Sequence, residues 1–300
     1  MSDQTVLVFN YENVDARLTS GKNLFLLNLL REITRNYDNF AILGDFPEFF
    51  EDLLKKKFSL IPTNIDPTFE RCLFLTETLL KPYYYVKYKV AQSFFWLNLP
   101  YIFSLDKDPL KSLACELLTL GGFFLFVNKL AYDFACSQFN IIKQKLICVC
   151  PSKTEHSPVS NSETVLWAPN YTNTKWWPVL LKMKDKIPVE ELSFLTRTGD
   201  DIFKIDISCQ KQGVFLYLSD QIDDYFLYLL AKNGIVIVSH SDQVIQTVRG
   251  SVKVSSNSIE ALIDAIERSK NVRFQEYPSF DNNYFDWLAS HILENFSNHR

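Results

Sequence analysis

Residues 213–266 read GVFLYLSDQIDDYFLYLLAKNGIVIVSHSDQVIQTVRGSVKVSSNSIEALIDAI. Three short apolar runs, Val214–Leu218, Ile235–Val238 and Val252–Val254, alternate here with segments of helical pattern. Unbroken apolar runs of this length belong to strands covered on both faces, and their alternation with helices builds a parallel sheet. The last segment predicts a helix over Ile259–Ser269, with Asn257 as N-cap and Glu260, three residues on, as its capping-box partner. This end of the chain is therefore α/β.

Toward the N-terminus, Val165–Trp167 and Leu192–Leu195 supply two further strands. Residues 151–163, PSKTEHSPVSNSE, carry two prolines and four serines and no apolar period, which is the composition of a linker. The first half repeats the α/β rhythm, with strands over Thr5–Phe9, Phe40–Gly44, Cys72–Leu75, Tyr101–Leu105, Phe123–Val127 and Leu146–Val149. A helix over Lys22–Arg35 sets Leu26, Leu29, Leu30 and Ile33 on one face, and a charged helix is expected over Glu48–Lys56. The expected organisation is an α/β domain over residues 1–151, a linker over 152–163 and a second α/β domain over 164–272.

At 300 residues, 47% hydrophobic and 15% aromatic, the chain has apolar surface for two cores and none of the bias of a disordered one. A net charge of −4 supplies no general basic field, which argues against a nucleic-acid binder and makes any phosphate site a local one. The N-terminus MSDQTVLVFN lacks the basic start and long apolar core of a secretory signal. The most apolar stretch, Leu117–Asn128, is shorter than the roughly 20 residues of a spanning helix. A cytoplasmic location is expected. The six cysteines, Cys72, Cys115, Cys136, Cys148, Cys150 and Cys209, lie mostly in apolar runs without CxxC spacing, so buried reduced thiols are expected and no metal centre.

The order of elements in residues 213–266 resembles the C-terminal domain of GT-B glycosyltransferases, above all the retaining nucleotide-sugar group called family 4 or group 1. Glu260-Ala-Leu-Ile-Asp-Ala-Ile266 is similar to the last helix of that domain, and Leu195-Thr-Arg-Thr-Gly199-Asp200 resembles its second strand and glycine loop. Lys175 stands where the family presents a lysine to the donor diphosphate. Phe285-Asp-Trp287-Leu-Ala resembles the closing helix, Ser20-Gly21-Lys22 the glycine loop under the donor phosphates, and Phe124–Asn128 the strand before the interdomain crossing.

The resemblance implies a GT-B fold of two Rossmann-like domains facing across a cleft, with residues 273–300 crossing back to the first domain. It implies a glycosyltransferase of hexosyltransferase type, working without metal or cofactor, as in polysaccharide biosynthesis. Its donor would be a nucleotide-diphosphate sugar and its acceptor a glycan or lipid-linked molecule. The implied donor-binding set is Gly21, Lys22, Asn170, Lys175, Gly199, Gln221, Asp223, Asp224 and Ser239. Strand ends and helix N-termini suit a diphosphate. Lys175 would meet the charge that grows on the departing diphosphate, or else is a solvated surface lysine.

The chain departs from the family at named places. Counting back from Gly234, the family's two glutamates fall at Gln221 and Leu229, eight positions apart, and an arginine five residues before the lysine falls at Asn170. Asp223 and Asp224 either take over ribose binding or begin a helix and favour its positive end. None of the four histidines, His156, His240, His291 and His299, lies in the first domain. Asp106 is the carboxylate placed to take a proton from an acceptor hydroxyl, or else starts a helix.

Between Glu77 and Asp106 there is no acidic residue, and Lys81, Lys87 and Lys89 interleave with aromatic residues that include Trp96. That pattern fits contact with the acceptor or a peripheral contact with an anionic membrane, and equally an aromatic core edged by lysines. The missing carboxylates make a GT-B module that binds a partner protein or glycan without transfer the competing expectation. An epimerase on the same scaffold is the third.

Overall fold

The computed structural model describes residues 5–9, 21–36, 40–43, 59–61, 71–75, 93–98, 108–120, 122–158, 164–192, 194–196, 205–207 and 213–298. Lys81, Lys87, Lys89, Asp106, Gly199, the strand at Tyr101–Leu105 and the helix at Glu48–Lys56 lie outside the described residues. Contacts divide the chain into one unit of Met1–Ala16, Leu26–Cys150 and Asp281–Arg300, and another of Arg17–Phe25 and Pro151–Phe280.

In chain order the first half contains β1 (Thr5–Phe9), α1 (Gly21–Asn36), β2 (Phe40–Leu43), β3 (Ser59–Ile61), β4 (Arg71–Leu75) and β5 (Ser93–Asn98). After them come α2 (Asp108–Thr119), β6 (Gly122–Phe126), α3 (Lys129–Gln138) and β7 (Leu146–Cys148). The strands form one sheet in the order β3-β2-β1-β4-β5-β6-β7. Every neighbouring pair is parallel. The chain winds outward from β1 to β3 and returns on the other side of β1 with β4, the reversal of a doubly wound Rossmann sheet.

Trp96 falls within β5. Asn128 caps α3, its side-chain oxygen accepting from the Ala131 N–H at 3.0 Å. Phe124–Asn128 therefore leads into a helix of the first unit, and β7 takes the expected place of the last strand before the boundary.

The second unit contains β8 (Lys153–His156), β9 (Thr164–Thr172), α4 (Trp177–Met183), β10 (Val189–Glu191), β11 (Phe194–Thr196), β12 (Ile205–Ile207) and β13 (Gly213–Leu218). It continues with α5 (Asp224–Lys232), β14 (Val236–Ser239), α6 (Asp242–Thr247), β15 (Val252–Lys253), α7 (Ile259–Ser269) and β16 (Gln275–Pro278). Five strands form a parallel sheet in the order β10-β9-β13-β14-β15.

Alternate residues of a strand share a face. Val165, Trp167, Val214, Leu216, Val236 and Val238 accordingly form one core with Leu180 and Met183 of α4 and Leu262, Ala265 and Ile266 of α7. On β13, Phe215 and Tyr217 point the other way, against Phe226 of α5. Both faces are covered, which is why GVFLYL is apolar throughout. Each aliphatic side chain so buried contributes about 1.5–3 kcal/mol.

Helix α5 is buried from Asp224 to Ala231, so Leu229 serves the core. It ends at Gly234, whose φ of 74° is the left-handed conformation glycine adopts without strain. Gly234 and Ile235 return their N–H groups to Ala231 and Leu230, closing the helix in a Schellman turn that delivers the chain into β14.

Three expectations are corrected. Lys153–His156, expected as linker, pairs antiparallel with β16; its mostly exposed side chains left no apolar pattern to read. In the parallel sheet the strand after α4 is Val189–Glu191, not Leu192–Leu195. Phe194–Thr196 pairs instead with Ile205–Ile207 in an antiparallel ribbon. The edge strand escaped notice because its two glutamates face solvent. The N-cap of α7 is Ser258, whose hydroxyl accepts from the Ala261 N–H at 3.2 Å. Asn257 donates instead to the Lys175 carbonyl at 3.1 Å.

The last helix, α8 (Asn282–Asn298), falls in the first unit, and Tyr284 on it donates to the Val149 carbonyl at 2.8 Å. Among the described residues no helix is long and apolar enough to cross a membrane.

Candidate functional site

Strand order in the second unit reverses between β9 and β13. Ligands of open α/β sheets bind outside the carboxyl ends of the strands at such a point. Asn173 and Lys175 follow β9, Ser219 and Asp220 follow β13, and His240 and Ser241 follow β14. Asp220 joins the three segments. Its carboxylate accepts from Nζ of Lys175 at 3.2 and 3.3 Å and from Nδ2 of Asn173 at 2.5 Å, and it lies 2.7 Å from Nε2 of His240.

Local backbone bonds hold these side chains. Asn173 donates its N–H to the Leu218 carbonyl at 2.9 Å, tying the end of β9 to the end of β13. Its side-chain oxygen accepts from the Lys175 N–H at 3.2 Å. Ser219 accepts from the Gln221 N–H, and the buried Ser239 from the Ser241 N–H, each at 3.1 Å. Trp176, 1% exposed, sets its ring 5.3 Å from the His240 imidazole. Nε1 of Trp176 and Nδ1 of His240 are buried and find no hydrogen-bond partner among the described residues.

The hydrogen bond with His240 is the largest influence holding the Asp220 carboxyl below its usual pKa, with Lys175 and Asn173 adding to it against partial burial. Two nitrogen groups able to carry positive charge thus meet on one carboxylate. An incoming anion can take Lys175 from Asp220 at little cost, because exposed ion pairs are worth about 0–1 kcal/mol.

A second constellation joins the N-termini of α1 and α5. Asp223 caps α5, accepting from the Phe226 N–H at 3.0 Å, and its other oxygen accepts from Tyr171 Oη at 2.9 Å and the Lys22 N–H at 3.1 Å. Tyr171 in turn accepts from the Gly21 N–H at 3.0 Å and stacks on Phe226 with centroids 3.8 Å apart. One carboxylate therefore serves the positive ends of two helices. Burial raises the Asp223 pKa against those hydrogen bonds, and burial lowers that of Lys22 to about 8, partly offset by the Asp223 charge.

The N–H groups of Gly21 and Lys22 that the resemblance assigns to donor phosphates are thus bonded to Tyr171 and Asp223. Asp223 has the helix-cap role, and Asp224 is the buried first residue of α5.

Asn170 and Gln221 are the other described residues of the expected set. Asn170 is exposed next to Pro169, where the pairing of β9 with β13 shifts register between Leu216 and Leu218. Proline cannot donate to a ladder, and the bulge turns Pro169 and Asn170 outward before Tyr171 returns to the core. Gln221 is exposed, and its backbone carbonyl accepts from Tyr217 at 2.8 Å. Asp220, His240 and Asn173 were missed by the sequence reading. The available signal was position, since each follows closely on the end of a parallel strand.

No protein-family model matches the chain, and no curated protein sequence matches it. Solved structures do. A glycosyltransferase from Rickettsia africae ESF-5 is similar with a TM-score of 0.62 and 10% identity, over 100% of both chains. HepE of Anabaena, in complex with UDP-glucose, is similar with a TM-score of 0.58 and 8% identity, over 97% of this chain and 99% of that one. A putative UDP-N-acetylglucosamine 2-epimerase from Listeria monocytogenes gives 0.57 and 10%, over 99% and 97%. With the sheet orders above, these likenesses define the fold class as GT-B, with two Rossmann-like α/β domains.

Proposed function

We propose that this chain binds a nucleotide-diphosphate sugar at the carboxyl ends of β9, β13 and β14 and transfers the sugar to a glycan or lipid-linked acceptor. The observation that carries the reading is the meeting of Lys175, Asp220 and His240 at the switch point of the second sheet. In support, the similar structures include a glycosyltransferase and a protein holding UDP-glucose.

In this reading Lys175 leaves Asp220 for the diphosphate and stabilises the charge that grows on it as the sugar departs. Asp220 stays with His240 and keeps the imidazole oriented. Asn170 offers a hydrogen bond where an arginine would add charge. The reaction then needs no metal and no cofactor. Asp106 as base, acceptor or membrane contact through Lys81, Lys87, Lys89 and Trp96, and action at a cytoplasmic membrane face belong to the same proposal.

Incubation with UDP- and GDP-sugars, with and without glycan acceptors, tests it. Release of free nucleotide diphosphate with sugar transfer supports it; donors recovered unchanged overturn it. A module that binds without transfer is the second reading, favoured by Leu229 serving the core and by Asp223 and Tyr171 occupying the N-terminus of α1. Binding without turnover would select it, and an altered sugar on an intact nucleotide would select an epimerase.

A further inference from the structure

Strand β7 ends at Cys148, and Cys150 closes that segment of the first unit. Residues two apart on an extended strand face the same way at about 6.6 Å, inside the roughly 4.4–6.8 Å over which Cα atoms are bridged by disulfides. Here Sγ of Cys148 lies 3.3 Å from Sγ of Cys150, which itself lies 3.4 Å from the Phe126 carbonyl oxygen. Neither sulfur is in a disulfide; Cys148 is exposed and Cys150 half-buried, where buried thiols were expected.

The backbone between them is held. Val149 donates its N–H to Phe126 at 2.9 Å and accepts from Tyr284 at 2.8 Å. The Lys129 ammonium is held above its ordinary pKa first by its hydrogen bond to Asp133 and in smaller part by the nearby Cys148 and Cys150 sulfurs. Among the described residues no three His, Cys, Asp or Glu side chains are grouped to hold a metal ion.

We propose that Cys148 and Cys150 form a dithiol that hydrogen peroxide or an organic hydroperoxide oxidises to a reversible intrachain disulfide. The Cys148 thiolate attacks the peroxide O–O bond, taking one oxygen as a sulfenic acid while the other leaves as water or an alcohol. The Cys150 thiol then attacks that sulfur, forming the S–S bond and expelling the sulfenic oxygen as water. Two thiols lose two protons and two electrons, and the peroxide accepts them.

The test treats the full chain with hydrogen peroxide, blocks remaining thiols with an alkylating agent, and maps the tryptic peptide of residues 146–153 by mass spectrometry. The expected peptide has lost two hydrogens, carries no alkyl group, and takes two after reduction with dithiothreitol. Cys150→Ser should trap sulfenic acid at Cys148 with no bridge. Two alkylated thiols after peroxide, over-oxidation without linkage, or a bridge from Cys148 to Cys136 would overturn the assignment.

Discussion

Oδ1 of Asp220 accepts from Nζ of Lys175 at 3.2 Å and lies 2.7 Å from Nε2 of His240. The lysine that would meet a diphosphate is therefore paired with the chain's own carboxylate. The two side chains are about half exposed, at 46% and 56%, so water screens the pair and its exchange for a ligand phosphate is cheap.

Asp220→Asn removes the competing charge while keeping an oxygen for Asn173. Diphosphate affinity should rise by up to about fivefold, the equivalent of about 1 kcal/mol. Calorimetric titration with UDP and GDP measures it. Weaker binding in the variant would mean that Asp220 contacts the ligand rather than guarding Lys175.

Gly21→Ala should destabilise the second unit. A Cβ there would lie 2.5 Å from both Asp223 Oδ1 and the Phe226 backbone nitrogen, and a backbone atom cannot swing aside. The cost expected for such overpacking is about 1–3 kcal/mol, read from urea midpoints. An unchanged midpoint would remove the junction between the starts of α1 and α5.

The Lys22 ammonium titrates at about 8 in the folded chain against an ordinary 10.5. Below about pH 8 both states are charged, and the folded state carries the cost of burial. As pH rises through that value the folded chain releases its proton while the unfolded chain keeps it, so stability rises toward 10.5. Lys22→Met should remove this rise and be the more stable protein near neutrality. Midpoints at about pH 7 and about pH 10 check it, and parallel profiles would contradict it. Asp223, raised above its ordinary 3.8 first by burial, acts with opposite sign, losing stability as pH rises through its folded pKa.

Val214–Leu218 and Phe123–Val127 were legible because strands covered on two faces carry an uninterrupted apolar signature, whereas Ser93–Asn98, which pairs between β4 and β6, was not read as a strand. The strands at Val189–Glu191 and Lys153–His156 were not legible, because backbone pairing holds them and most of their side chains face water. The cap of α7 moved by one residue because Asn257 and Ser258 both favour that role, and the Lys175 carbonyl engages Asn257. Counting from Gly234 drew attention to Gln221 and Leu229, whereas the side chains that meet at the strand ends are Asp220 and His240. They are 20 positions apart in sequence and become neighbours only through the pairing of β13 with β14.

Titration of UDP and GDP into the full chain and into Lys175→Ala tests the nucleotide-diphosphate site most directly. The account predicts saturable binding of at least one nucleotide to the unaltered chain, about tenfold or more weaker in the variant, as expected for loss of a charged hydrogen bond. No binding at millimolar nucleotide, or equal affinity in the two proteins, would contradict it.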